Sequence, residues 1–365
     1  MAVERIADRA KQYAARIRAI FDRAELVILA EVRRRILKGL KTPGWAERKA
    51  AEIAEMRRWL RRHTAEFLSE AAPEVRRIVR QAYDEGAAAV AEQLKAANLL
   101  DIHPQPFEPG ARIRALASDT VTVLASTSRA ILRTTLDAYR DVIETAAGEV
   151  VTGVSTRWTA TKRAMEAFAD RGITGFVDEA GRRWDLGSYA EMATRTAVMR
   201  SAKEGAVDRY EAAGEDLVIV SDHWEECDLC RPWEGKILSL KGRTPGYPTI
   251  DQAEVAGLFH PNCRHTVSLY TPGLTRTPRT QGPESPAEAR LIYQERMQQR
   301  RLERGIRQWK RREAAALDDE ARERAGAKVA EWTRALQAHI RHVNKRREET
   351  GSLPTRRFPK REIPM

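Results

Sequence analysis

The residues best suited to chemistry lie close together in the sequence. All three cysteines of the 365-residue chain, and three of its seven histidines, fall between residues 222 and 265. They form a C-x-x-C turn at 227–230 and a second knuckle, H-P-N-C-R-H, at 260–265. Two such knuckles supply the four ligands of a tetrahedral structural zinc site. The sequence therefore predicts one structural zinc ion, with the ligands Cys227, Cys230, Cys263 and either His260 or His265.

Other interpretations of these cysteines fit less well. A redox C-x-x-C with an unrelated buried thiol, or three reduced cysteines in a cytosolic protein, would leave the second knuckle unexplained. A secreted disulfide framework conflicts with the odd cysteine count. The histidine that is not a ligand is expected to orient a ligand, cap a turn or contact a partner. Trp224 and Trp233 flank the C-x-x-C turn and are expected to pack over it.

An enzymatic function is not expected. A catalytic zinc keeps one position open for water, whereas four Cys and His ligands close the coordination shell. The Walker A motif, H-E-x-x-H and G-x-S-x-G are all absent. The alternative is a metal-dependent nuclease in which His260 and His265 act with Glu254 or Asp251. We expect no small-molecule substrate.

The charge balance favours a polyanionic partner. The chain has 64 Lys and Arg against 52 Asp and Glu, a net charge of +12, and residues 281–365 alone carry 21 basic and 13 acidic side chains, or +8. Neutralised phosphates release counterions, so DNA is a natural partner, although charged helices are also often simply solvated. The residues predicted to contact nucleic acid or an acidic partner surface are Arg300, Arg301, Arg304, Arg307, Lys310, Arg311 and Arg312. No base-reading motif accompanies them, so any DNA binding should be independent of sequence.

Helical periodicity dominates both ends of the chain. The first helix has an a/d seam, ends at 41–44, and is followed by helical regions at about 46–99, 111–151 and 156–170, with Pro73 as a candidate interruption. Residues 101–110 are predicted to form a linker. Beyond residue 286 the chain is predicted to be helical again, with two further apolar stripes. Residues 351–365 are predicted to form an extended basic tail. The seam residues are Ile6, Ala10, Tyr13, Ile17, Ile20, Ala24 and Val27.

The middle of the chain changes character. A short hairpin is predicted at about 172–186, a helix at 189–213, and strands at 217–220, 236–240 and 266–270. The fold class is therefore α+β and mostly helical, with long helical N-terminal and C-terminal arms around a small zinc-knuckle α+β domain. The predicted regions are 1–155, 156–273, 274–350 and 351–365. No stretch is long and apolar enough to span a membrane, and no signal peptide is expected.

Several motifs, in one order, resemble the tailed-phage minor capsid protein 2 family, which is similar to the wider group of phage head morphogenesis proteins. The motifs lie at 172–178, 181–186, 189–192, 227–235, 257–265 and 270–273. The series covers about 156–273, and the arginine-rich segment 293–312 is also similar.

The resemblance implies a low-copy structural protein of the virion, made in the host cytoplasm and built into the head. It further implies association with the portal protein. We expect the amphipathic helical arms to bind the portal, the major capsid protein or further copies of the chain, and the basic C-terminal quarter to face packaged DNA or an acidic partner surface. The wider group often has cysteine where this chain has His265, which favours His265 over His260 as the fourth ligand. A cellular zinc-containing nucleic-acid-binding protein is the remaining alternative.

Overall fold

The computed structural model describes residues 2–97, 110–177, 181, 183–221, 229–261, 263–275 and 286–350. This part of the chain is mostly helical with a small antiparallel sheet, and none of its helices has the length and apolar character needed to cross a bilayer. The helices are α1 (Ala2–Leu37), α2 (Trp45–Ala51), α3 (Ile53–Ala96), α4 (Ala111–Val151), α5 (Arg157–Arg171), α6 (Leu186–Ala212), α7 (Ile250–Val255), α8 (Pro286–Ala315) and α9 (Asp319–Thr350). The strands are β1 (Thr174–Val177), β2 (Arg183–Asp185), β3 (Leu217–Val220), β4 (Ile237–Ser239) and β5 (Val267–Leu269).

Helix α1 follows its predicted apolar seam for most of its length. The seam residues from Ile6 to Ala24 are all buried. Val27, the last of them, is 45% exposed, and the neighbouring Ile28 is buried instead. A strict seven-residue repeat drifts by about 20° per heptad on a straight helix, so after three heptads the buried face has moved on by one residue. The prediction was therefore wrong at Val27.

The first predicted break is confirmed, whereas the interruption at Pro73 is not. Gly39 and Gly44 have φ angles of 70° and 64°, a conformation that glycine adopts without strain, and they carry the chain from α1 to α2. Helix α3 runs straight through Pro73. A proline inside a helix costs about 3 kcal/mol locally. Because Ala71 and Val75 on either side are buried, we attribute the continuity of α3 to its packing.

The chain forms two compact units, each assembled from three separate stretches. Unit 1 comprises Met1–Ile17, Ala71–Leu124 and Ala190–Pro283, and unit 2 comprises Arg18–Glu70, Ala125–Tyr189 and Glu284–Met365. The boundaries fall within α1, α3, α4 and α6, so these helices contribute residues to both units. The four linear regions predicted from the sequence stay a prediction. The linker at 101–110 lies largely, and the tail at 351–365 entirely, outside the described residues.

The sheet of unit 1 has the strand order β4-β3-β5, with both pairs antiparallel. All four residues of β3 are buried, and Val218 faces Leu238 on one side and Leu269 on the other. The same apolar cluster includes Val90 of α3 and Tyr210 of α6. The three predicted strands are thus confirmed, and two helices cover their sheet.

Helices α3 and α6 approach each other closely within unit 1. A Cβ atom added to Gly86 would lie 2.0 Å from the backbone oxygen of Ala202, and one added to Gly205 would lie 2.1 Å from that of Tyr83. The Tyr83 hydroxyl also donates a 2.8 Å hydrogen bond to Asp208. Only glycine permits backbones to meet at this distance, so these two residues set the separation of the helices.

In unit 2, α8 and α9 pack as a pair along the two apolar stripes predicted from the sequence. Leu302 and Ile306 of α8 share one buried cluster with three residues of α9, and Trp332 packs against it. Gly305 gives the Trp332 ring its space, because an added Cβ would lie 2.2 Å from that ring. The predicted hairpin also forms, with β1 and β2 antiparallel.

Gly86→Ala is expected to lower the free energy of unfolding by about 1–3 kcal/mol, because α3 and α6 must separate to admit the methyl group. Gly148→Ala is the matched control, since Gly148 also lies within a helix but has open space around an added Cβ. The control should be neutral or stabilising by up to about 1 kcal/mol. Chemical denaturation measures both values, and equal stabilities would contradict the proposed role of the close approach.

Candidate metal centre

Two cysteines and one histidine meet in unit 1. Ligand atoms of Cys230, His260 and Cys263 all lie within 4.8 Å of one another. The two sulfur atoms are 3.5 Å apart, although 33 residues separate them in the sequence. Two thiolates and an imidazole are the ligands that soft and borderline metals prefer, and zinc sites use this combination. The cluster can therefore hold a metal ion.

Tight turns bring these residues together. Cys230 begins a short 3₁₀ turn at Arg231–Trp233, and its carbonyl oxygen accepts a 2.8 Å hydrogen bond from the Trp233 amide. His260 and Cys263 lie in one turn that is closed by a 2.9 Å bond from the Cys263 amide to the His260 carbonyl. In the described residues, Cys230 thus begins one compact turn and His260 and Cys263 share another, and the ligand atoms of all three lie in the same cluster.

The site lies against the sheet core. Cys230 and Cys263 are both buried in the apolar cluster that surrounds β3, and Trp233 packs against it, as predicted. Cys230 follows β3, and Cys263 precedes β5, which is the next strand in that sheet. A metal bound here would link two neighbouring strands. Trp224 and the predicted ligand Cys227 lie outside the described residues.

His260 has a geometry suited to a ligand. Its Nδ1 atom lies 2.8 Å from the carbonyl oxygen of Pro261. A carbonyl oxygen only accepts hydrogen bonds, so Nδ1 carries the hydrogen, and Nε2 carries the lone pair that a metal requires. This arrangement is the usual one for metal-ligating histidines, in which a second partner fixes the tautomer.

His265 is buried beside the cluster rather than within the three-residue group. Its Nδ1 atom is 3.3 Å from the Cys263 sulfur, and its Nε2 atom is 2.7 Å from a carboxylate oxygen of Glu234. Burial disfavours the charged imidazole, but the hydrogen bonds to Cys263 and Glu234 outweigh it and raise the pKa of His265. The hydrogen bond from Cys230, together with His265, lowers the pKa of the Cys263 thiol despite its burial.

The structure thus brings His260 to the two cysteines and gives His265 a supporting position, whereas the sequence favoured His265 as the ligand. The full ligand set remains a prediction. Sequence reasoning missed Glu234, which fixes the His265 ring. Its place within the motif at 227–235 was the only available signal, because a glutamate four residues after a cysteine has no characteristic chemistry of its own.

The acidic residues of the nuclease alternative are not part of this group. Glu254 forms an ion pair with Lys203, whose ammonium also lies 5.4 Å from the centre of the Phe259 ring. Asp251 is exposed in the first turn of α7. In the described chain neither of these two acidic residues belongs to the group of possible metal ligands, whereas His260 does.

The predicted basic surface of α8 divides into two sets. Arg300, Arg301 and Arg304 are exposed, whereas Arg307, Lys310, Arg311 and Arg312 are half-buried. Arg312 makes two 2.6 Å hydrogen bonds to the carboxylate of Asp170. Arg311 donates a 2.7 Å bond to the Ala169 carbonyl and lies 3.8 Å from Glu25. The second set thus contacts groups inside unit 2, which reduces its capacity to bind an external partner.

A family model described as phage minor capsid protein 2 matches residues 7–341. The chain belongs to this family. The match confirms the resemblance carried by the motifs and extends it to the N-terminal helices, which have no motif of their own. This minor capsid protein therefore has a structural role in the phage head and associates with the capsid of the virion. Searches among curated proteins and among solved structures give no significant match.

His260→Ala is expected to abolish stoichiometric metal binding in this minor capsid protein, because it removes a donor from the three-residue group. His265→Ala should keep the metal at an affinity about 10–100-fold lower, as for other residues that orient a ligand. Elemental analysis and competition with a chromophoric chelator measure both. If His265→Ala lost the metal and His260→Ala kept it, His265 would be the ligand, as the sequence alone suggested.

Glu25→Gln is expected to reduce the pH dependence of stability. Burial raises the pKa of Glu25 from 4.5 to about 7, although Arg311 and the Ile173 amide lower it. Between about pH 4.5 and pH 7 the folded protein therefore retains a proton that the unfolded chain has lost. The contribution of Glu25 to the free energy of unfolding is complete below about pH 4.5 and is lost as the pH rises through 7. Thermal melting at pH 5 and pH 8 compares wild type with the variant. An unchanged difference would show that Glu25 does not titrate in this range.

Proposed function

We propose that the chain is a head morphogenesis protein that joins the portal and the inner face of the capsid through its helices. The observation that carries this proposal is the family match over 7–341, which includes both compact units and not only the central motifs. The work of such a protein is non-covalent: it presents preformed helical surfaces to partner subunits. Synthesis in the host cytoplasm and oligomeric assembly within the virion belong to the same proposal.

The metal centre has a structural role in this proposal, and zinc is its ion. Two thiols buried in an apolar cluster supply a sulfur-rich donor set, which is typical of closed structural sites. Cys230, Cys263 and His260 would hold the ion, with Cys227 as the fourth ligand, and His265 would donate a hydrogen bond to the Cys263 sulfur. Bound zinc would add folding free energy to a domain with very short strands. We propose no enzymatic activity.

The exposed part of the α8 surface is proposed to contact a polyanion. Arg300, Arg301 and Arg304 are exposed on a helix whose opposite stripe packs against α9. Packaged DNA or an acidic patch of a capsid subunit has the complementary charge. The internal contacts of Arg311 and Arg312 make this surface smaller than the sequence suggested.

The purified protein is expected to contain about one zinc ion per chain, and Cys230→Ser or Cys263→Ser should lose it. Because metal binding is coupled to folding, the two variants should melt at a lower temperature and lose hydrogen-exchange protection in the strands β3 and β5. Val123→Ser, a change at an exposed site of α4, is a control that should retain the zinc. Metal-free wild-type protein from a chelator-free preparation would contradict the zinc assignment.

The proposed virion role predicts a small number of copies in each purified phage particle. Quantitative mass spectrometry against the major capsid protein measures that number, and cross-linking of intact particles identifies the neighbouring subunits. Cross-links to the portal or to the inner capsid face are expected. Absence of the protein from purified particles would contradict the proposed role in the mature head.

A further inference from the structure

Four arginines form a compact basic surface on α3. Arg57, Arg58, Arg61 and Arg62 are all exposed, and we refer to them as the α3 arginine patch. Residues four apart are neighbours on a helix, so the patch consists of two adjacent pairs separated by one turn, or about 6 Å along the axis. The other side of the same helix is anchored in the protein, because Met56 and Leu60 are fully buried.

None of the four guanidinium groups forms an ion pair with a carboxylate in the described part of the chain. The closest acidic residues along the helix are oriented elsewhere: Glu55 lies 3.8 Å from Arg35, and Glu66 lies 3.5 Å from His63. Further along the same helix, Arg77 pairs with Glu74 at 2.6 Å. The patch therefore differs from arginines whose charge is balanced by a neighbouring acid.

The backbone beneath the patch is held firmly. Trp59 stacks on His63 with ring centres 5.0 Å apart and an angle of 18° between the planes. The edge of His63 in turn contacts Phe67, which is buried. Met56, Leu60 and Phe67 of the same helix are buried, so the backbone that carries the four arginines packs against the protein. A preorganised donor surface loses less entropy on binding.

We propose that the α3 arginine patch binds the phosphate backbone of duplex DNA without reading its sequence. Four like charges in two turns repel one another, and a dense line of negative charge relieves that repulsion. Duplex DNA carries one phosphate charge per about 1.7 Å of its length, whereas carboxylates on a protein surface are generally interspersed with positive charges. This site is separate from the α8 surface of the proposed function.

The test uses the full-length protein and a fluorescent 30-base-pair duplex of arbitrary sequence, with anisotropy measured over a range of NaCl concentrations. The wild type should bind with an affinity that falls steeply with salt. The fourfold variant Arg57→Gln, Arg58→Gln, Arg61→Gln and Arg62→Gln should bind at least about tenfold more weakly at low salt. Its slope should be smaller by about 3–4, since each phosphate contact contributes about 0.9 log units per log unit of salt.

A matched control separates the patch from net charge. The variant Arg23→Gln, Arg34→Gln, Arg77→Gln and Arg80→Gln removes the same charge from four exposed arginines that already pair with Glu70, Glu31, Glu74 and Asp84. It should bind nearly as well as the wild type, with an unchanged salt slope. Changing the four patch arginines to Lys should also preserve the slope, because the charges remain. Circular dichroism verifies the helical content of each variant, and glutamine is nearly as good a helix former as arginine.

Equal losses in the patch variant and the control would overturn the proposal, because net charge alone would then explain binding. Wild-type affinity in the patch variant would overturn it as well. If the wild type did not bind the duplex but bound poly-glutamate, and the patch variant did not, the patch would be assigned to an acidic protein partner instead. Since the assay needs no virion, its failure would leave the copy-number and cross-linking tests of the head role unaffected.

Discussion

The strands of the unit 1 sheet are three or four residues long, so this sheet buries little apolar surface unless helices cover it closely. The contact between α3 and α6 at Gly86 and Gly205 provides that cover. Gln93 of α3 then links the layers, because its side-chain oxygen accepts bonds from the Tyr210 hydroxyl at 2.6 Å and from the Leu269 amide at 3.3 Å. The sheet, and the turns at its strand ends, depend on this helix pair.

The cysteine and histidine cluster supplies a second constraint on the same sheet. Cys230 lies in the connection between β3 and β4, and Cys263 lies four residues before β5, with their sulfur atoms 3.5 Å apart in an apolar environment. A bound ion would hold these two segments together and balance the charge of thiolates that burial alone would disfavour. His265 and Glu234 extend the arrangement outward, since a carboxylate that fixes an imidazole ring also fixes the sulfur that the ring contacts. Helical cover therefore stabilises a sheet too small to stand alone, and metal ligation at this cluster would stabilise it further.

Sequence patterns predicted the elements better than the geometry of the site. The run Leu217–Val220 is continuously apolar between turns, so its assignment as a buried strand needed no tertiary information. The two knuckles likewise predicted, through residue type alone, a cluster of side chains that can hold a metal ion. They did not distinguish His260 from His265, because the direction of each ring depends on Pro261 and Glu234 through contacts that spacing does not encode. The seam of α1 failed at Val27 for a related reason: a small angular drift accumulates with length.

The arginines available to bind a partner were the hardest feature to predict, because the ion pairs that an arginine forms depend on acidic residues distant in the sequence. Arg312 pairs with Asp170, 142 residues away, and Arg311 lies beside Glu25. A count of basic residues does not reveal such pairs, and the predicted binding role of the α8 residues stays a prediction. Arg57 and Arg61 lie in the arginine-dense stretch 57–62 and form no ion pair in the described chain, because Glu55 and Glu66 contact other residues. A net charge of +12 thus describes the sum of two populations, and only the exposed arginines without acidic partners can bind another molecule strongly.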